Sequence, residues 1–238
     1  MLEILALISA VLLNASPLSD ARRMLRAKGP CSFVPLPWAM LFMNAFLWTM
    51  YGILIRQLIP MIVCNLVGVG SSSYAMVTFL KFGVGERKRR AKKTFLCALI
   101  ASFCIAYACF DAILIATFTD ADVDMFIIQN LGRVGAGISC AMFAAPLAEL
   151  RNVIRSKSTQ SLSVPWAAAC FLCGFLWTVH GVNMGDPYVA LPNMLGAVLA
   201  AFQFVLFLRF GVDRTQSYGC LPVAESMDLS GQKMAFGL

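Results

Sequence analysis

Seven apolar runs dominate the chain: residues 1–18, 35–55, 59–82, 94–118, 124–148, 165–183 and 186–210. Each is close to the ~20 residues with which a helix crosses a bilayer. In lipid a helix satisfies its own backbone, so runs of this length predict a polytopic all-α membrane protein. Composition agrees. Of 238 residues, 60% are hydrophobic and 13% charged, about half the ~25% charge of a soluble domain. The first run has no positive leader before it and is followed by Arg22, Arg23, Arg26 and Lys28, so it reads as a membrane span rather than a cleaved signal.

The formal net charge of +7 is spread in clusters between the runs, which argues against a nucleic-acid module. Loop 1–2 holds Arg22, Arg23, Arg26 and Lys28. Loop 3–4 holds Lys81, Arg87, Lys88, Arg89, Arg90, Lys92 and Lys93, and loop 5–6 holds Arg151, Arg155 and Lys157. Arg56 and the acidic Asp120, Asp122, Asp124 and Asp186 fall on the other side. Basic residues stay in the cytoplasm, so the N-terminus is expected outside and the C-terminus inside. The run 86–93 reads as a plain basic loop, with a lipid-headgroup anchor as the alternative. The tail 211–238 is polar and expected to be disordered.

The apolar runs repeat. Pro17 matches Pro146, and eleven residues after each comes a lysine, Lys28 and Lys157. Pro37-Trp38 matches Pro165-Trp166, Trp48-Thr49 matches Trp177-Thr178, and Tyr51-Gly52 matches His180-Gly181. Asn65-x-x-Gly68 matches Asn193-x-x-Gly196. Two three-helix units joined directly would be inverted, so the run 94–118 is a linker span that restores orientation. The expected organisation is a first repeat over 1–82, the linker helix 94–118 and a second repeat over 124–210, parallel about an axis along the membrane normal.

No catalytic or metal-binding set accompanies these runs. His180 is the only histidine. Cys170-x-x-Cys173 has no second pair beside it and reads as helix packing. Neither enzyme activity, metal nor cofactor is expected. The polar residues inside the spans carry the chemistry. Asn65 and Asn193, each expected near the middle of the third helix of its repeat, offer amides that both donate and accept; the alternative is hydrogen bonding between helices. Trp48 and Trp177 offer broad apolar faces with a polar N–H. Leu13 and Met142, one turn before Pro17 and Pro146, are expected to line the same cavity. Asp111 and Arg133 are charges inside spans, and their similar depths suggest an ion pair.

The chain resembles the SWEET family of sugar transporters. The resemblance runs over roughly 10–210 and is carried by Pro146-Leu-Ala-Glu-Leu-Arg-Asn-Val-Ile-Arg-Ser-Lys-Ser-Thr-Gln160, Phe175-Leu-Trp177, Gly181, Asp186-Pro187 and Pro192-Asn193-x-x-Gly196, with Asn44, Trp48, Tyr51-Gly52 and Asn65 in the first half. The spacing from Lys-Ser-Thr-Gln to Pro165 is more like animal or protist members than plant ones. The resemblance implies sugar binding at Asn65, Asn193, Trp48 and Trp177. It implies an intracellular gate at Pro17, Pro37, Pro146 and Pro165, with simple helix punctuation as the alternative reading, and an extracellular gate pair in Tyr51 and Asp186. The chain departs from the family at Lys28-Gly-Pro-Cys31 and at His180, where tyrosine is usual. Cys173 and Gly174 stand against Asn44 and Ala45 of the first half.

The expected function is downhill, bidirectional uniport of a monosaccharide such as glucose by alternating access, because the pocket residues are uncharged. The expected partners are the sugar and the lipid bilayer; a homo-oligomer is left open. The expected location is the plasma membrane, with the Golgi or another endomembrane as the alternative. Two rival functions are a proton-coupled amino-acid carrier working through Asp111, and a membrane receptor that transports nothing.

Overall fold

The computed structural model describes residues 1–29, 33–119 and 125–212; Pro30, Cys31, Asp120, Asp122, Asp124 and the tail from 213 lie outside the described residues. The described chain is helical throughout its length: α1 (Leu2–Asn14), α2 (Pro17–Ala27), α3 (Leu36–Leu54), α4 (Val63–Phe82), α5 (Gly85–Thr119), α6 (Met125–Met142), α7 (Ala144–Ser156), α8 (Val164–Asn183) and α9 (Pro187–Phe210). Six segments, counting α1–α2 and α6–α7 as one each, are long and apolar enough to cross a membrane. Helix α3 is the seventh apolar helix; Asn44, Trp48, Thr49 and Tyr51 dilute its hydropathy.

The repeat seen in the sequence is a repeat of helix breaks. The first span stops at Asn14 and restarts with Pro17, whose missing N–H costs nothing in a first turn. The fifth span breaks at Phe143 and resumes as α7, with Pro146 in its first turn. Lys28 and Lys157 end α2 and α7 in the same left-handed conformation, at φ 49° and 55°. Pro37 and Pro165 stand in the first turns of α3 and α8. All four prolines therefore mark helix starts; none interrupts a running helical ladder.

The turns that follow α3 and α8 also match. Gln57 N–H donates to Gly52 O at 2.8 Å, and Asp186 N–H donates to Gly181 O at 2.9 Å. Arg56 (φ 58°) and Gly185 (φ 67°) occupy the left-handed position in these two turns. Glycine adopts it without cost, whereas Arg56 pays for its Cβ. After the first turn, Ile59 is extended and followed by a cis peptide to Pro60 before α4 begins. After the second, Asp186 caps α9 directly, accepting from Tyr188 N–H at 2.9 Å and Val189 N–H at 3.2 Å.

Three expectations change. The basic clusters are not loops: α2 carries Arg22, Arg23 and Arg26, α7 carries Arg151 and Arg155, and α5 begins at Gly85 and contains the whole 86–93 run. Glu86 holds that first turn together, pairing with Arg89 at 3.4 Å and Arg90 at 3.3 Å, the spacing at which helix neighbours meet. Asn65 lies near the start of α4 and not mid-helix. Asp111 and Arg133 do not pair. Both are exposed, α5 packs on α3 and α4 while α6 packs on α3 and α9, and Arg133 instead donates to Asn130 Oδ1 at 3.2 Å, one turn back.

Packing divides the molecule into two ends. One buried cluster joins Ala6 and Ala10 of α1, Trp48 and Tyr51 of α3, Cys64 of α4, Cys173 and Trp177 of α8, and Val189 of α9, so it spans both repeats. At the opposite end each repeat has its own cluster. Ala21, Met24, Trp38, Ala39, Met76, Phe79 and Ala91 form one, with α5 contributing. Leu150, Val153, Leu162, Ala167, Leu206 and Phe207 form the other. The repeats are thus cemented at the Tyr51 end and separately packed at the proline end.

Candidate functional site

Between the repeats lies a cavity of about 240 Å³. All six residues predicted to bind sugar line it: Leu13, Trp48, Asn65, Met142, Trp177 and Asn193. They come from α1, α3, α4, α6, α8 and α9, so each repeat supplies one residue from each of its three spans.

The two asparagines share one mode of hydrogen bonding. Asn65 Nδ2 donates to Met61 O at 2.8 Å, and Asn193 Nδ2 donates to Val189 O at 2.8 Å. Each bond runs back to the carbonyl four residues earlier, so it fixes the amide without tying one helix to another. The interhelical-glue alternative does not describe these residues. Asn65 Nδ2 also donates to Cys64 Sγ at 3.6 Å, and both asparagines line the cavity.

The two indoles are held differently. Trp177 Nε1 donates to Ala6 O at 3.1 Å, across the repeat boundary. Trp48 Nε1 donates to Ser139 Oγ at 3.1 Å, and Ser139 donates onward to Asn44 Oδ1 at 2.8 Å. Both polar tips are thereby spent on protein, and what the rings offer the cavity is their apolar face. Sequence reasoning missed Ser139, although it lies one helical turn before Met142, a spacing that places both on one face. It also missed Asn14, whose Nδ2 donates to Cys64 O at 2.9 Å, and Phe143, which lines the cavity beside Gly196.

The glycines allow this closeness. A Cβ built on Gly68 would lie 2.9 Å from Ala45 Cβ, and one on Gly196 would lie 2.9 Å from Phe143 Cζ. One on Gly174 would meet Asn193 O at 2.8 Å and Ala197 N at 2.9 Å. Backbone cannot step aside as a side chain can, so at this level α8 and α9 come so close because residue 174 has no side chain.

The cavity is capped at the cemented end. Tyr51 is buried, 3% exposed, and its O–H donates to Asp186 Oδ2 at 2.7 Å. Pro17, Pro37, Pro146 and Pro165 lie toward the other end, with Pro17 buried and Pro37 and Pro165 exposed. Asp111 is on the exposed surface of α5, away from the cavity. Among the described residues no group of three metal-ligating side chains occurs.

These features define a class: a polytopic helical membrane protein with two parallel three-helix repeats around one central cavity. The chain belongs to the family described as sugar efflux transporters for intercellular exchange, whose model matches residues 1–87 and 129–215. The two matched stretches leave out most of α5, as a linker helix requires. A bidirectional sugar transporter of rice is 25% identical over 201 residues, 84% of this chain. The chain spans 59% of that relative's length. Sugar transporters of Drosophila pseudoobscura and Dictyostelium discoideum are each 27% identical, over 88% and 80% of this chain and 88% and 83% of theirs. The solved structure of a eukaryotic SWEET transporter superposes with a TM-score of 0.75, covering 88% of this chain and 94% of that one, at 22% identity. At that identity the likeness establishes the fold.

Proposed function

We propose that the protein carries a monosaccharide such as glucose across a membrane, downhill and in either direction. The observation that carries this reading is the symmetric pair of amides, Asn65 and Asn193, each fixed by its own helix and facing a cavity roofed by two indole rings. Amides match hydroxyls as donor and acceptor, and the indole faces match the C–H faces of a sugar ring. Membership of a sugar-transporter family and relatives named as bidirectional sugar transporters support it.

The mechanism follows from the two ends of the molecule. A shared core and the Tyr51–Asp186 bond close one end; the other is packed repeat by repeat. Rocking of one repeat on the other would break Tyr51–Asp186 and bring the proline-started helix ends together. In this reading residues 1–82 and 124–210 are the moving units, with 94–118 riding on the first, since α5 packs on α3 and α4. In this reading the closed end and the N-terminus lie outside and the C-terminus in the cytoplasm, supported by the basic residues at the opposite helix ends; the plasma membrane is the proposed site. Neither cavity amide titrates and Asp111 is remote from the site, which supports uncoupled transport over a proton-coupled carrier working through Asp111.

Reconstituted protein tests this. It should exchange labelled glucose, and replacing both asparagines with alanine should abolish exchange while the protein stays folded. Exchange unaffected by that double replacement would refute the assignment of the site.

A further inference from the structure

The Tyr51–Asp186 bond has a counterpart position that is not bonded. His180 stands in the second repeat where Tyr51 stands in the first. The ring of Tyr51 meets Trp48 edge-on, with centroids 5.4 Å apart at 86°, and the ring of His180 meets Trp177 in the same way, 5.5 Å apart at 83°. His180 is 3% exposed, and its Nε2 is a buried polar atom without a hydrogen-bond partner. Buried polar atoms are almost always partnered, so an orphan asks for a reason.

The register of the repeats identifies what faces it. Leu13 matches Met142 and Pro17 matches Pro146, a constant offset that aligns Ala6 with Gly135 and Glu3 with Gly132. Contacts bear out the first alignment in both repeats and the second at residue 132. Trp177 bonds to Ala6 O, and a Cβ on Gly135 would lie 3.2 Å from Trp48 Cζ2. A Cβ on Gly132 would lie 3.1 Å from Tyr51 Cε2, so residue 132 abuts the ring of residue 51. By the same register residue 3 is the position that corresponds to residue 132, on the side of residue 180. Helix α1 does pack on α8, and the Glu3 carboxylate lies within electrostatic reach of His180. Where one repeat has glycine, the other has a carboxylate within electrostatic reach of an imidazole whose Nε2 has no partner.

We propose that His180 and Glu3 form a second latch between the repeats at the Tyr51–Asp186 end, open in this structure and closed at another point of the transport cycle. The latch rests on the reading of Tyr51–Asp186 as a gate. The two arms cross in opposite senses: Tyr51 of the first repeat reaches the turn before α9, and His180 of the second reaches the start of α1. An imidazole N–H donating to a carboxylate is charge-assisted, yet Glu3 is exposed, so this arm is the weaker one. His180 is a positioning residue here and does not touch the cavity occupant.

The test uses the full chain in proteoliposomes. The readout is the rate at which cavity Cys173 is alkylated by a membrane-impermeant maleimide applied from the face carrying Met1, measured by mass spectrometry. It needs no sugar. Glu3→Gln and His180→Gln should each raise the rate about threefold, as loss of an exposed charged bond implies, and the double variant should raise it no further than either single one. The exchange Glu3→His with His180→Glu should return it toward the unaltered rate. Additive single effects, or no effect of Glu3→Gln, would overturn the latch. Tyr51→Phe serves as reference. If it leaves the rate unchanged, the gate reading itself fails; if it raises the rate while Glu3→Gln does not, only the second latch fails.

Discussion

Tyr51 and Asp186 lie 135 residues apart in the chain and 2.7 Å apart in space. The bond joins α3 of the first repeat to the residue that caps α9 of the second. Asp186 divides its carboxylate between these tasks: Oδ2 accepts from Tyr51, and Oδ1 accepts from the Tyr188 and Val189 amides. One residue thus sets both the start of a helix and the closure of one end of the cavity.

The divided carboxylate predicts a difference between two substitutions. Tyr51→Phe removes only the cross-repeat bond, about 1.5–3 kcal/mol for a bond to a charged acceptor, and should shift the open–closed equilibrium tenfold or more with little change in melting temperature. Asp186→Ala removes the cap as well and should cost a further ~1 kcal/mol of stability. Thermal unfolding of the two purified variants measures this; equal melting temperatures would show that the cap contributes nothing.

Asn65 and Asn193 each bond within their own helix, so alanine at either position should leave the fold almost unchanged. Losing hydrogen bonds to a sugar hydroxyl costs roughly 1–2 kcal/mol, a weakening of glucose binding of about five- to thirtyfold per site. Equilibrium binding of labelled glucose to the single variants checks it. A large fall in melting temperature with unaltered binding would make the amides structural.

Trp48 and Trp177 restrict the cavity to its small volume. Replacing both with alanine should admit disaccharides, at a stability cost of several kcal/mol for two truncated aromatics. Competition between glucose and sucrose in exchange assays reads the change, and an unaltered preference for the hexose would mean that the indoles do not set substrate size.

Gly181→Ala should be among the most damaging small substitutions. Its Cβ would meet Ala190 N at 2.7 Å and Ala190 Cα at 2.9 Å, both backbone, and overpacking of this kind costs about 1–3 kcal/mol. Gly137→Ala, with nothing within 4 Å, should be silent. A melting comparison separates them.

Much of this was legible in the residues. Span number followed from apolar run lengths, which lipid imposes on the chain directly; the repeat followed from matched motifs, and the cavity residues from those motifs together with the family resemblance. Helix ends were not legible. Charged residues past the bilayer read as loop by hydropathy, yet α5 continues through Lys93 because Glu86 pairs along its own helix. The prolines were readable as positions but not as geometry; only coordinates show them in first turns. Asp111 and Arg133 matched in depth, but depth along a span says nothing of azimuth, and both stand exposed, with Arg133 bonded along its own helix. Ser139 was hidden because its role depends on Trp48 and Asn44 from the other repeat, a contact that no local pattern encodes.

The central claim is an uncoupled sugar carrier whose site is the paired amides. Counterflow of labelled glucose into proteoliposomes, with and without a protonophore, tests it most directly. The account predicts exchange that the protonophore does not alter and that vanishes when Asn65 and Asn193 are both alanine. Exchange that collapses with the proton gradient, or that survives the loss of both amides, would contradict it.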